Sequence, residues 1–234
     1  METNPKLLKY LDGLTLILFL IAIWMVLFYA PTEAVMGNVQ RVFYFHVAAG
    51  WVGMLGFLVA AVVGVLYLRS GKRKYDIVGV AAVEVGLVFA FINIVSGSIW
   101  ARPIWNTWWT WDPRLTTATV MELIYAAYLM LRQGIDDADR RARFGAVYVL
   151  LGFASVPLTF LSARLFRTIH PIVIGTNQSG SMGQFDMAPK MLQAFLFSLL
   201  TFTFIFVDIL WHRVRLGLFA EKIEERKIKL GEEG

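Results

Sequence analysis

Long apolar stretches alternate with short polar ones along the whole chain. Six of them stand out: Leu11–Ala30, His46–Leu68, Ile77–Ile99, Leu115–Leu131, Gly145–Leu161 and Lys190–Trp211. As a helix, each reaches about the thickness of a bilayer core, roughly 30 Å. A soluble domain with buried helices produces occasional runs of this kind, but six in succession with polar links between them fit a membrane far better. Lipid offers no partner to a bare peptide group, so a spanning segment satisfies its own N–H and C=O groups as a helix. The pattern predicts an all-α, polytopic membrane protein with six transmembrane helices. They form a single integral membrane domain over residues 1–234, ending in a cytoplasmic tail at 213–234.

The polar links are unequally charged. The N-terminus, the links around "RSGKRKYD" and "RQGIDDADRRAR", and the tail hold sixteen of the 22 Lys and Arg residues, and the three links between them hold the other six. The positive-inside rule then places both termini in the cytoplasm. The net charge of +5 follows from this asymmetry and calls for no nucleic-acid partner. The first apolar run has the length of a span and lacks a small-residue cleavage site, so it is expected to stay as the first helix. With no cysteine in the chain, disulfides, thiolate metal sites and Cys-x-x-Cys-His haem attachment are excluded. No phosphate-binding Gly-Lys loop occurs, so an ATP-driven step would belong to a partner.

In this topology the links after the first, third and fifth spans lie outside. The second of them contains "WNTWWTWDPRLT", residues 105–116, with Trp105, Trp108, Trp109 and Trp111 in seven positions and Trp100 just upstream. Interfacial anchoring accounts for isolated tryptophans such as Trp24, Trp51 and Trp211. Four in seven exceed that need. Pro103 and Pro113 are expected to push Arg102 and Asp112 out of helical geometry and leave only a short helix between them. Over one or two turns, Trp105, Trp108 and Trp109 would share a side and form an aromatic shelf. Asp112 suits the N-cap of the fourth helix, with Pro113 at its first position.

His46 enters the second span in "RVFYFHVAAGW", and His170 lies in the third outer link in "RLFRTIHPIVIG"; His212 is at the inner end of the last span. A single interfacial histidine or arginine is ordinarily a solvated or snorkelling side chain. Taken together, the two outer imidazoles, the indoles and Arg41, Arg102, Arg114, Arg164 and Arg167 describe a haem site. Iron accepts axial imidazole, flat rings stack on aromatic faces, and guanidinium groups match the two haem carboxylates.

The same residues carry a resemblance. "GSIWARPIWNTWWTWDPRLT" resembles the tryptophan-rich WWD signature of haem-handling membrane proteins of cytochrome c maturation. Its "WDPRLT" ending, with six spans and a short chain, is similar to the CcmC (haem exporter protein C) family rather than to the longer CcmF and CcsA. "GNVQRVFYFHVAAGW" and "VPLTFLSARLFRTIHP" resemble the stretches that bear that family's two outer histidines, and the likeness covers about residues 10–212. One departure is Asn106, where the family usually has glycine; asparagine tolerates left-handed backbone better than most residues.

The resemblance implies a protein of a prokaryotic inner membrane with its site facing the periplasm. It implies haem b bound between His46 and His170 as axial iron ligands, with Trp100, Trp105, Trp108, Trp109, Trp111, Asp112 and Arg114 holding the macrocycle. It further implies delivery to the chaperone CcmE, which becomes covalently attached to the haem, and partnership with the CcmA–CcmB ABC transporter and the small protein CcmD. The expected role is transport rather than enzymatic, beyond assisting that attachment. Two alternatives stay open. One is a haem lyase component of the CcsA or CcmF kind, attaching haem directly to apocytochrome c, although the long extracytoplasmic domain of those relatives is missing. The other is a passive subunit with an aromatic anchor and no cofactor.

Three acids lie in or beside the spans. Ionisable groups in lipid are functional candidates by default. Glu84, roughly 12 Å from the inner end of the third span at about 1.5 Å per residue, suits a polar path or a helix–helix hydrogen bond, with packing the favoured role; Glu122 is left without a role, and Asp208 reads as solvated near Arg213. The small residues at 96–98, "SGS", suit close helix approach. The Gly- and Ser-rich link "HPIVIGTNQSGSMGQFDMAP" is expected to be a mobile cover that lets His170 engage and release haem. The tail reads as a solvated helix.

Overall fold

The computed structural model describes residues 5–170 and 187–232. Among them the chain is helical, with no strand beyond one isolated bridge between Glu33 and Gly37. Helix α1 (Pro5–Trp24) continues through a π turn at Met25–Tyr29; α2 is Arg41–Ser70, α3 Arg73–Trp105, α4 Pro113–Gln133, α5 Ala138–Gly152, α6 Ser155–Leu165 and α7 Pro189–Glu232. All six predicted runs fall on helices, most of them longer at both ends. The fifth run is broken between α5 and α6. Pro157 lacks an N–H and its ring crowds the carbonyl four residues back, and the break falls at that residue, Phe153.

Among the described residues, five stretches are long and apolar enough to cross a membrane: Lys6–Tyr29, Asn38–Ser70, Arg73–Trp105, Ala138–Leu165 and Pro189–Lys227. Their outward residues are those lipid would solvate; Leu16, Ile17 and Leu20 of α1 are each more than half exposed. Helix α4, the predicted fourth span, falls short of that apolar mark because Arg114, Thr116, Thr117, Thr119 and Glu122 dilute it. It still runs antiparallel beside α3. Its first turn adjoins the tryptophan-rich link after α3, and Arg132 near its end meets Asp76 at the start of α3.

The core is built on the α2–α3 hairpin. Gly71 closes α2 at φ 63°, a left-handed C-cap that glycine adopts without steric penalty. The two helices then pack backbone to backbone. A Cβ on Gly56 would lie 2.7 Å from the carbonyl oxygen of Ala82, and one on Gly53 3.2 Å from the nitrogen of Ala90. Such small residues let helices approach closely where lipid supplies no hydrophobic drive. Phe57 of α2 stacks on Tyr125 of α4 with ring centres 3.6 Å apart. At the end away from the tryptophans, the Arg132 guanidinium is bidentate to the buried Asp76 carboxylate, at 2.7 and 3.0 Å, and also donates to the Arg141 carbonyl. One cation therefore ties α3, α4 and α5.

Two of the three acids have charged or imidazole neighbours. Glu84 accepts from Arg213 of α7 at 2.8 Å, which makes it a helix–helix contact, here an ion pair. Asp208 differs from the expectation of a solvated group: it is buried, because α1 covers it, and His212 joins it to Asp12, with Nε2 2.8 Å from the Asp12 carboxylate. At 44 residues α7 is about 66 Å long at 1.5 Å per residue. It therefore extends well past a bilayer core, and its C-terminal part is the tail helix read from the sequence.

Candidate functional site

A cavity of about 320 Å³ opens between α2, α3, α4, α6 and the start of α7, at the end of the bundle that carries the tryptophan-rich link. Small-molecule and cofactor sites span roughly 300–1,000 Å³. His46 and His170 both line it, although 124 positions separate them in sequence.

His46 is fixed by α3. Its Nδ1 lies 3.0 Å from the Asn93 carbonyl oxygen and 3.1 Å from Ser96 Oγ. The Asn93 side chain donates to the His46 carbonyl at 2.8 Å. The Asn93 carbonyl can only accept, so a bond to it is made by Nδ1–H, the tautomer that leaves the lone pair on Nε2, where the Asn93 amide nitrogen approaches to 3.5 Å. Metal-binding histidines are commonly prepared in this way, the second nitrogen donating to a carbonyl or carboxylate. The small residues of 96–98 make the contact possible: a Cβ on Gly97 would stand 2.8 Å from His46 Cε1, and one on Gly50 the same distance from Asn93 Nδ2.

His170 is held by a non-helical strap after α6. Asp112 extends a carboxylate to it, accepting from Thr168 Oγ1 at 2.7 and 2.8 Å and from the Ile169 N–H at 2.9 Å. Thr168 Oγ1 in turn accepts from the His170 N–H at 3.0 Å. The same carboxylate caps α4 through the Arg114 N–H at 2.9 Å, the N-cap role expected of it. Burial pushes the Asp112 carboxyl up, but the hydrogen bonds from Thr168, Ile169 and Arg114 outweigh it and hold the group below the ordinary carboxylate value of 3.8.

The indoles divide into two sets. Trp100, Trp105 and Trp109 line the cavity. Trp105 meets Trp100 edge-on at 5.4 Å between ring centres and His170 at 6.4 Å. The Nε1 atoms of Trp100 and Trp109 are buried and have no hydrogen-bond partner. Trp108 and Trp111, 57% and 80% exposed, lie outside the lining, as does Asp112. The predicted shelf of Trp105, Trp108 and Trp109 is therefore replaced by a different arrangement. Helix α3 runs on through Arg102 and Pro103 to Trp105, and Asn106 then turns left-handed at φ 55°. That turn ends the helical spacing, so Trp108 and Trp109 take opposite sides of an irregular link. Asn106 is the sole non-glycine residue with positive φ among those described, and it occupies the position where the resembled family has glycine.

Of the outer arginines, Arg114 and Arg164 line the cavity. Arg114 Nη1 is anchored on the carbonyls of Thr159 and Phe160 at 3.1 and 3.0 Å; its other donors remain for a ligand. Arg102 bonds to Asn106, and Arg41 to Val26, Thr32 and Asn38. Trp51, read as a plain anchor, lines the cavity and donates to Thr203 at 3.0 Å. The sequence reading missed Asn93, Ser96 and Thr168. Asn93 left a signal, an amide inside an apolar span that needs a partner across helices. Thr168 left none. Most of the link expected to form a mobile cover, residues 171–186, lies outside the described residues.

The comparisons with known proteins point one way. The family described as "Heme exporter protein C" matches residues 1–229. The chain is 30% identical over 203 residues to "Heme exporter protein C" of Bradyrhizobium diazoefficiens, covering 86% of this chain and 76% of that protein. It is 32% identical over 195 residues to the Escherichia coli K12 protein of the same name, covering 83% and 77%. It is also 27% identical over 177 residues to a Marchantia polymorpha protein named "Putative cytochrome c biosynthesis ccmC-like mitochondrial protein", covering 76% and 72%.

Proposed function

The chain belongs to the CcmC family, heme exporter protein C, and from that premise we propose that it carries haem b as cargo at the outer face of a prokaryotic inner membrane. It would hold the iron between His46 and His170 and deliver the haem to the chaperone CcmE during cytochrome c maturation. The observation that carries this reading is that two distant histidines line one aromatic cavity, with His46 Nδ1 held on the Asn93 carbonyl.

The chemistry of the lining fits the cargo. When bound, iron supplies two axial positions that neutral imidazoles fill well. Trp100, Trp105 and Trp109 offer ring surface for the macrocycle, and the two unpartnered indole N–H groups are donors that a bound carboxylate would satisfy. Arg114 and Arg164 bring cationic donors to the same cavity. Trp108, Trp111 and Asp112 act around this site rather than in its wall.

The reading also takes α4 as a sixth span, with both termini cytoplasmic. Its 21 residues make about 31 Å of helix at 1.5 Å per residue, the thickness of a bilayer core. The Lys and Arg asymmetry supports the same orientation. Haem delivery to CcmE, with CcmA–CcmB and CcmD as further partners, is part of the proposal and rests on the resemblance of the tryptophan-rich signature to that family.

Haem titration of the purified protein in detergent tests the proposal. The wild type should give the sharp visible spectrum of a six-coordinate bis-histidine haem. His46→Ala and His170→Ala should each change coordination, and the double variant should bind at least tenfold more weakly. A double variant that retains the parental spectrum and affinity would refute the ligand assignment.

A further inference from the structure

The two histidines are held by unequal means. His46 is inside α2 and pressed against α3, where Asn93, Ser96 and the Cα of Gly97 confine its ring. It cannot leave without parting the tightest helix pair in the bundle. His170 is beyond the end of α6, on a strap with no helical hydrogen bonds of its own. Its backbone is tied by a relay: the His170 N–H donates to Thr168 Oγ1, and Thr168 Oγ1 and the Ile169 N–H donate to Asp112. These contacts can open without unfolding a helix.

We propose that Asp112 and Thr168 form a latch for His170, making it the releasable ligand of the cargo while His46 is the fixed one. The inference rests on the haem reading above and adds two positioning residues and a direction of release. Asp112 suits the role because the residue is buried and its carboxylate is shared between the strap and the first turn of α4. Thr168 suits it because one hydroxyl both donates to the carboxylate and accepts from the histidine backbone. With the latch closed, the strap keeps the imidazole over the cavity. With it open, haem stays on His46 with one axial position free for an acceptor's ligand.

Thr168→Val removes the hydroxyl with little change of shape and leaves the Asp112 cap on α4 intact. In the full-length protein loaded with haem, this variant should move the spectrum from six- towards five-coordinate. It should also speed haem loss to an excess of a scavenger protein at least fivefold. Added imidazole should restore the six-coordinate spectrum, and Thr168→Ser should restore both properties. Asp112→Asn, which still caps a helix, should act in the same direction as Thr168→Val. Introduced on His170→Ala, Thr168→Val should change nothing further, because the latch acts through that histidine.

A six-coordinate Thr168→Val protein with the parental rate of haem loss would overturn the latch alone. The same holds if the Thr168→Val effect persists undiminished on His170→Ala. A wild type without a six-coordinate spectrum would overturn the carrier reading, and the latch with it.

Discussion

Gly97→Ala tests the preparation of His46 most directly. The added Cβ would lie 2.8 Å from His46 Cε1 and 3.4 Å from Nδ1. Ordinary contact begins near 3.4 Å, so the ring must retreat by about 0.6 Å. The Asn93 carbonyl and Ser96 sit on the same helix as Gly97, so the retreat stretches the present 3.0 Å bond from Nδ1 by up to about 0.6 Å and weakens it. Loss of such an outer partner of a metal-binding histidine weakens binding by about 10–100-fold, or roughly 1.4–2.7 kcal/mol. The fold should survive. Overpacking costs about 1–3 kcal/mol, and replacing glycine by alanine in a helix returns about 1 kcal/mol. The assay is a haem titration followed by absorbance, alongside a thermal unfolding curve in the same detergent. Gly13→Ala is the control, since a Cβ there meets nothing within 4 Å, and its haem affinity should equal that of the wild type. Equal affinity and spectrum for Gly97→Ala would show that the carbonyl of Asn93 does not prepare the ligand.

Two further expectations concern the frame. Arg132→Ala leaves the buried Asp76 carboxylate with Arg73 alone, at 3.0 Å, so the cost should fall below the roughly 3–5 kcal/mol of a buried pair broken outright. Thermal unfolding in detergent should show a large drop, with the Asp76→Leu, Arg132→Met double variant recovering most of it; a drop no greater than that of an exposed substitution would refute the tie. The strap should respond to acid with a definite sign. Hydrogen bonds lower the Asp112 carboxyl in the folded state, so its docking contribution is complete above the ordinary carboxylate pKa of about 4 and fades only as pH falls through the lowered value. Hydrogen exchange at the Ile169 amide, corrected for intrinsic rate, should be flat from pH 7 to pH 5. Loss of protection already at pH 6 would exclude Asp112 as its acceptor.

The helices were legible because lipid enforces a simple rule, that long apolar runs satisfy their own backbone. The one element below the apolar mark, α4, is the one whose polar residues face duties inside the bundle, among them Arg114 on the carbonyls of α6 and Thr117 on its own preceding turn. The site was legible as a composition: two imidazoles, several indoles and two arginines singled out in the sequence line one cavity. The indole geometry was not legible, because it depends on whether a helix survives a proline. Pro103 was read as a stop, yet α3 continues past it, and the turn comes three residues later at Asn106. A proline forfeits one hydrogen bond and strains the preceding turn, which packing against the cavity wall can offset; a left-handed residue redirects the chain outright.

Asp112 shows why the remainder required coordinates. An aspartate before a proline at a helix start has a complete local explanation as an N-cap, and no sequence pattern announces a second role. The fold brings a strap from 56 residues away onto the same two oxygens. A carboxylate offers about four lone-pair positions, enough for the cap, the threonine hydroxyl and the isoleucine N–H together. The consequence is mechanical. The tryptophan-rich link leads directly into Asp112, so a displacement of that link moves the anchor of His170 as well. The aromatic wall and the outer imidazole are thereby coupled through one side chain, while His46 stays with the α2–α3 pair. On the proposed carrier reading, a partner that engages the exposed Trp108 or Trp111 would loosen His170 and leave His46 in place, the asymmetry needed to hand over a cargo.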